Sequence, residues 1–397
     1  MIQKKIMILG AGAFQLPAIK KAQELGHKVI CASYKESDIG LKEADVGYVC
    51  STINKEELLK IAIKEKIDGI TTIASEIAAP SVAYIAEKLG LIGYGYETAS
   101  IIANKYRLRS FLNTNGLNSI KFGVATTLGE AIEVFEGLKK PAIIKPSTAS
   151  GSVGVYKIYT KEELVNFFPI VKEASIIEKS VILEEFIEGR EVGGEVLIVE
   201  GKIHLMAITK KYVNSKFVPY GHLLPCDIHD TTSKAIKTLL QSVINKLELK
   251  NGPLNFDIMI QNGAPHIIEL GGRLGGNCLP MLMKNHTGTD TIKAIIELAL
   301  GNSLDEIISY EQKPVAAYIL HSVESGILAR NIFDNIQNSY LEEFIVNKFA
   351  SVAKGDKVEK FTRGACQLGY LIFNAETQNQ LIELFNKVEN YKWVELN

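Results

Sequence analysis

The stretch FDIMIQNGAPHIIELGGRLGGN sets two acids, Asp257 and Glu269, on either side of an Asn262-Gly263 pair, with Arg273 and Asn277 following in a glycine-rich run. Asn-Gly between apolar alternations predicts a tight hairpin. Counted outward from that turn, the two acids lie at comparable depth, and the period of two along strands can aim both carboxylates at one face. Two like charges at one spot on a sheet are costly unless a cation bridges them. Hard oxygen ligands completed by phosphate oxygens suit Mg2+. Arg273 stands on a flexible turn from which a guanidinium can fork onto a carboxylate or phosphoryl group, and Asn277 adds a neutral donor. An incidental surface hairpin would not call for the run Gly271-Gly272-Arg273-Leu274-Gly275-Gly276.

Upstream residues supply the other parts of an anion site. Lys105, at a predicted helix start, and Lys145, at a strand end, are point charges suited to phosphate oxygens. Lys145 leads into KPSTASGSVGVYKIY, where Ser150, Gly151, Ser152, Val153 and Gly154 form a small-residue loop whose backbone N–H groups can close on phosphate. It is not the G-x-x-x-x-G-K-[ST] type, because its glycines are too close and no Lys-Ser/Thr pair follows. In VILEEFIEGREVGGE, a β-branched strand ends at Glu184, Glu185, Phe186 and Ile187 and turns at Gly189. An extended hinge of this kind can offer backbone groups to an adenine edge, and the carboxylate of Glu191 can accept from two ribose hydroxyls.

Three further residues are substrate candidates: His222 in the Pro/Gly-rich FVPYGHLLP, expected as a loop; Glu76 in TTIASEIAAP; and Arg363 in FTRGACQLGY. Cys278, beside the glycine run, reads as a small packing residue, not a nucleophile.

The elements that must position these groups follow from periodicity. Within the first hundred residues, IMILG, VICAS and DGITTI alternate with helical stretches, the rhythm of an open parallel sheet. A helical segment is expected from about 97 to 112, an αβ stretch through 185, and hairpins at Glu200-Gly201 and Asn262-Gly263. A polar helix is expected over about 231–247, then strands after 310 and a last helix near 376–388. The opening Gly10-Ala11-Gly12-Ala13-Phe14-Gln15 follows a strand and starts a helix, as a dinucleotide fingerprint does. Its third small position is Gln15, however, and no acid follows VICAS to hold a ribose.

The 397 residues suggest two or three domains. A net charge of −1 with scattered basic residues argues against a nucleic-acid partner. No apolar run reaches the length of a membrane span. The odd set Cys31, Cys50, Cys226, Cys278 and Cys366, without C-x-x-C spacing, reads as reduced thiols of a cytoplasmic protein.

Along nearly its whole length the chain resembles the ATP-grasp superfamily of carboxylate–amine ligases. IIELGGRLGGNCLPML…TGTD is most similar to the amino-acid-ligase-like branch, and the N-terminal GAGAFQLPAIKKAQELG to biotin-carboxylase-like and purine-pathway members. The resemblance implies an α/β and α+β fold: a Rossmann-like pre-ATP-grasp domain (1–100), then a two-lobed ATP-grasp domain (101–305, with a small lid lobe at about 115–187), then a C-terminal part (306–397) packed on its core. It implies ATP and Mg2+ as cofactors, with Lys105 and Lys145 on the phosphates, 147–154 as the mobile loop, Glu184 to Ile187 at adenine and Glu191 at the ribose. Asp257 and Glu269 become the metal acids, and Arg273 the group that steadies an acyl phosphate. Asp257 stands where Glu is commoner, and Gly271 where an Asn is often found. The implied reaction activates a small carboxylate, an amino acid, as an acyl phosphate and joins it to an amine. Both substrates are small molecules; such relatives are commonly dimers, so a homodimer is one state open to this chain, whose sequence does not fix the oligomeric state. Activation of formate or bicarbonate on the same fold, a nicotinamide-dependent dehydrogenase built on the GAG turn, and a non-catalytic nucleotide-binding protein are the competing readings.

Overall fold

The short apolar runs of the N-terminus become a parallel sheet. In the computed structural model β1 (Lys5–Leu9), β2 (Lys28–Ser33), β3 (Val46–Val49) and β4 (Gly69–Thr71) pair in parallel in the order β3-β2-β1-β4. The structure describes residues 3–117, 120–304, 312–334, 336 and 339–397; the boundary expected at 305/306 lies outside them. Gly10, at φ 91°, turns the chain sharply out of β1, a conformation glycine adopts without steric cost. Gln15 then folds back into this turn. Its Oε1 accepts from the Gly12 N–H at 3.0 Å and its Nε2 donates to Ile73 O at 2.7 Å. The Gly12 N–H that a pyrophosphate would use is therefore already taken, and the dinucleotide reading loses its loop.

Residues 97–112, expected as one helical segment, form two helices, Tyr96–Ala103 and Lys105–Thr114. Asn104 leaves helical geometry (φ −109°, ψ 113°), and its side chain caps the second helix by accepting from the Arg107 N–H. That break places Lys105 at the first position of a new helix.

A second, smaller sheet follows: β5 (Phe122–Ala125), β6 (Ala142–Pro146), β7 (Tyr156–Ile158) and β8 (Val181–Glu185), antiparallel in the order β5-β8-β6-β7. Its two helices, Leu128–Glu136 and Lys161–Ala174, each begin with a capping box, Thr127/Glu130 and Thr160/Glu163. Their apolar faces (Ala131, Phe135, Leu164, Phe168) share one core with Ala142, Ile144 and Ile158 of the strands.

The large sheet has eight antiparallel strands: β9 (Arg190–Val199), β10 (Lys202–Val213), β11 (Pro219–Leu224), β12 (Gly252–Gln261), β13 (Ala264–Gly271), β14 (Val315–Leu320), β16 (Ile345–Ala350) and β18 (Gly369–Asn374). Their order is β13-β12-β9-β10-β11-β14-β18-β16, and a separate ribbon pairs β15 (Gly326–Ile327) with β17 (Lys357–Val358). The helix Asp230–Lys246 covers one region through Ile236, Leu240 and Val243, against Val196, Leu254 and Phe256. The helices Leu279–Thr287 and Thr291–Ala299 face the N-terminal layer. There Ile6, Ile8, Ile19, Leu282, Ile295 and Ile372 belong to one buried cluster. Each fully buried Leu or Ile contributes about 1.5–3 kcal/mol, so the N-terminal layer is firmly docked on the large sheet. No helix among the described residues is long and apolar enough to cross a membrane. All five cysteines are free.

Candidate active site

The β12–β13 hairpin sets the geometry. Asp257 and Glu269 are direct Cα partners across it. Glu269 lies one residue further from the Asn262-Gly263 turn than Asp257 does, which in a regular ladder would turn the two side chains to opposite faces. The ladder corrects this: Asp257 pairs with Glu269 and Ile258 with Ile267, leaving Ile268 as an extra, bulged residue. Both carboxylates therefore reach the same side of the sheet.

Each meets a lysine. Lys211 Nζ, from the end of β10, lies 2.8 Å from Asp257 Oδ1 and 2.6 Å from Glu191 Oε1. It crosses above β9 at Gly193, where a Cβ would lie 3.0 Å from Asp257 Oδ1 and 3.6 Å from Lys211 Cδ, so a side chain there would press on the pair. Lys105 Nζ donates to Glu269 Oε1 at 2.9 Å and to Ala149 O at 2.7 Å, tying the helix start to both the metal-candidate acid and the small-residue loop. Burial opposes the charge on Lys105, but the Glu269, Glu76 and Glu184 carboxylates together outweigh it and raise its pKa. Burial likewise opposes ionisation of Glu269, and Lys105 overrides it, holding that carboxyl well below its ordinary value. Asp257 is pushed up instead, by burial and by the Glu191 and Glu269 carboxylates, against the pull of Lys211.

Lys145 is buried and ion-paired with Glu184, which also meets Arg109 at 2.9 Å. Burial, with Arg109 nearby, lowers the Lys145 pKa although Glu184 works the other way. The Glu184 side chain thus serves Lys145 and Arg109, and any contact of 184–187 with an adenine edge falls to the backbone. Glu185 points away, accepting from the Lys139 N–H at 3.1 Å.

Two cavities meet over these acids. One, of 410 Å³, is lined by Lys105, Lys145, Ser150–Val153, Glu184–Ile187, Glu191, Lys211, Asp257 and Glu269. The other, of 520 Å³, is lined by Phe14, Glu76, Lys211, His222, Asn255, Asp257, Glu269, Arg273, Asn277 and Gly364. Both volumes fall in the range of small-molecule sites. The loop from Ala149 to Val153 roofs both. It is held by Ser152 Oγ donating to Phe217 O at 2.7 Å and by the Gly364 N–H donating to Gly151 O at 3.4 Å. Gly154 lies outside both linings and packs beside Pro146 and Ala174.

The second cavity holds a cation–carboxylate pair, Arg273 with Glu76. Burial and the neighbouring Glu269 raise the Glu76 pKa, with Arg273 and Lys105 opposing. His222, expected in a loop, instead lies in β11, buried, as the strand partner of Lys211. The hydrogen-bond network assigns its tautomer. Thr209 Oγ1 donates its proton to Gly193 O at 3.2 Å, so it accepts from His222 Nδ1–H at 3.1 Å. Nε2 is then a bare acceptor, buried without a partner. Burial, with Lys211 adding to it, pushes the imidazole down to about 3, so the ring is neutral. Arg273 Nε is also buried and unpartnered. Asn277 and Cys278 hold left-handed backbone (φ 50° and 66°), uncommon for residues with a Cβ. Burial drives the Cys278 thiol far up, as a packing role requires.

Arg363 does not join them. Its guanidinium pairs with Glu359 at 3.0 Å on the surface, and its neighbours Gly364 and Ala365 line the cavity in its place.

Sequence reasoning passed over Lys211, Arg109 and Glu195. Glu195 is buried in β9, its Oε1 accepting from the Gly275 N–H while Oε2 has no partner; burial raises it to about 7. A Cβ at Gly275 would lie 2.9 Å from that carboxylate oxygen and 2.5 Å from Leu279 Cδ1, so a side chain there would force both to shift. Period-two counting along GREVGGE from Glu191 reaches Glu195 on the same face, the one signal that was available.

Residues 138–281 match the family described as ATP-grasp domain. Over 367 residues the chain is 26% identical to alanine–anticapsin ligase of Bacillus subtilis, covering 85% of this chain and 75% of that protein. Phosphoribosylglycinamide synthetase from Anaerococcus prevotii superposes with a TM-score of 0.78 at 26% identity, over 100% of both chains. The L-amino acid ligase from Bacillus licheniformis gives 0.84 at 21% identity, over 100% of this chain and 99% of that one. The chain has the fold of the ATP-grasp proteins, and its residues 138–281 match their domain.

Proposed function

We propose that the chain is an ATP-dependent ligase that activates a small carboxylate, an amino acid, as an acyl phosphate and joins it to an amine, releasing ADP and phosphate. One observation carries this reading: the two cavities share a wall made of Lys211, Asp257 and Glu269 beneath one roof. A reaction between a nucleotide's terminal phosphoryl group and a second substrate needs that layout, because positioning and charge neutralisation do most of the work.

In this reading the 410 Å³ cavity takes ATP, with Lys105, Lys145 and Lys211 toward its phosphates, Glu191 toward the ribose and residues 185–187 along the base. The donor set fits: the three ammonium groups suit a polyphosphate, and the two facing carboxylates suit a divalent cation. Asp257 and Glu269 would hold Mg2+, which screens phosphate charge when bound. The 520 Å³ cavity takes the carboxylate and the amine. Arg273 is the forked donor for the reacting carboxylate, Glu76 holds that guanidinium in place, and Asn277 adds a neutral contact. His222 Nε2, able only to accept, suits an amine N–H. The 149–153 roof excludes water from a hydrolysable intermediate. The division we propose runs 1–100, 101–305 with a small lobe at about 115–187, and 306–397.

The test is ADP and phosphate release with amino acids offered singly and in pairs. Pair-dependent ADP formation with a ligated product supports the reading. Turnover with formate or bicarbonate alone would replace the amino acid, and ATP binding without turnover on any acceptor would overturn it.

A further inference from the structure

Resting on that reading of the nucleotide cavity, we infer that Arg109 is a positioning residue: it holds the β13 bulge that turns Glu269 toward Asp257, and through Glu184 it holds Lys145. Arg109 lies one helical turn after Lys105, on the same face of the helix Lys105–Thr114, and is 2% exposed. Its guanidinium spends its donors on two separate elements. Nε donates to Glu184 Oε2 at 3.0 Å, in β8 of the small sheet. NH1 donates to Ile267 O at 2.6 Å and NH2 to Ile268 O at 3.3 Å, in β13 of the large sheet.

Those two carbonyls belong to the bulge itself. Ile268 is the residue that β12 leaves unmatched, and the acid that follows it is Glu269. An unmatched residue can be absorbed by slipping the register, which would turn Glu269 to the other face of the sheet. A planar fork fixed on consecutive carbonyls opposes that slip, and lysine, with a single ammonium, cannot reproduce it. On its other side the same guanidinium shares Glu184 with Lys145, itself buried in the cavity wall. One side chain thus sets the positions of an acid on the large sheet and a lysine on the small one.

The experiment compares the full-length wild type with Arg109→Lys, Arg109→Met, Glu184→Gln and the Arg109→Met/Glu184→Gln double variant. ADP affinity is measured by calorimetry with and without Mg2+, alongside the unfolding midpoint without ligand and steady-state ADP formation. Arg109→Lys is expected to keep Glu184 paired and to fold. It should lose most of the Mg2+-dependent gain in ADP affinity and at least tenfold in kcat, with little change in ADP affinity measured without Mg2+. Arg109→Met should weaken ADP binding under both conditions, and Glu184→Gln should add less than its own single effect to it. A purely structural role would lower the unfolding midpoint while leaving the Mg2+-linked part of affinity intact, and that result overturns the inference. So does a full Mg2+ response in Arg109→Lys, the variant that decides the matter if Arg109→Met fails to fold. A wild type that binds no ADP overturns the reading of the cavity first, and this inference with it.

Discussion

Asp257 and Glu269 stand directly opposite each other across one antiparallel pair, and each is answered by a lysine from a different element, Lys211 at 2.8 Å and Lys105 at 2.9 Å. Asp257→Asn and Glu269→Gln should each lower kcat for ADP formation by about a hundredfold or more, the scale of losing a group that stabilises transition-state charge. Each should also flatten the Mg2+ dependence of nucleotide affinity in calorimetry. A variant that keeps the wild-type Mg2+ response removes that acid from the metal assignment.

Arg273 lines the second cavity and not the first. Arg273→Ala should therefore reduce ADP formation by about 10²–10³-fold while leaving ATP affinity close to that of wild type. A large loss of ATP binding in calorimetry would count against its place at the reacting carboxylate.

The neutral state of His222 is open to direct measurement. Its folded pKa of about 3 lies below the usual 6.5, so the folded chain binds fewer protons here than the unfolded one. Stability linked to this ring is present above 6.5 and is lost as pH falls toward 3. The His222 ring resonances should not titrate from about pH 5 to 8. His222→Phe should raise KM for the amine much more than KM for ATP. A titration midpoint near 6.5 would refute the neutral state of the ring.

Glu195 has the opposite sign. Its folded pKa of about 7 exceeds the ordinary 4.5, so its stability contribution is complete below 4.5 and is lost as pH rises through about 7. Gln can still accept from the Gly275 N–H but never ionises. Glu195→Gln should match wild type in acid and exceed it above pH 7 by an amount on the order of 1–3 kcal/mol. Denaturant unfolding at several pH values reads this, and equal stability of the two proteins at alkaline pH would count against it.

The sequence made the β12–β13 acids legible because Asn262-Gly263 announces its own turn, and the loop at 150–154 because small residues cluster there. It did not show that the pairing depends on a bulge at Ile268, since one extra residue in a ladder leaves no compositional mark. Lys211 was hidden for a related reason: its partners lie on β9 and β12, far away in the chain, and KK at a strand end looks like any solvated pair. FVPYGHLLP was misjudged because Pro and Gly usually mark loops, whereas Pro219 here only begins β11 and Gly221 packs under the Phe385 ring. Arg363 is a candidate only as an arginine in FTRGACQLGY, and its surface pair with Glu359 keeps it out of the cavity.

The chain from Ala149 to Val153 closes over both compartments and is latched at Gly151 by Gly364, from the far end of the polypeptide. On the function proposed above, a single shutter over adjoining rooms would make their traffic interdependent: a spent nucleotide would depart only by also unsealing the acceptor side. Order of arrival and departure would then depend on two small clasps, Ser152 on Phe217 and Gly364 on Gly151, neither of which is a charged group.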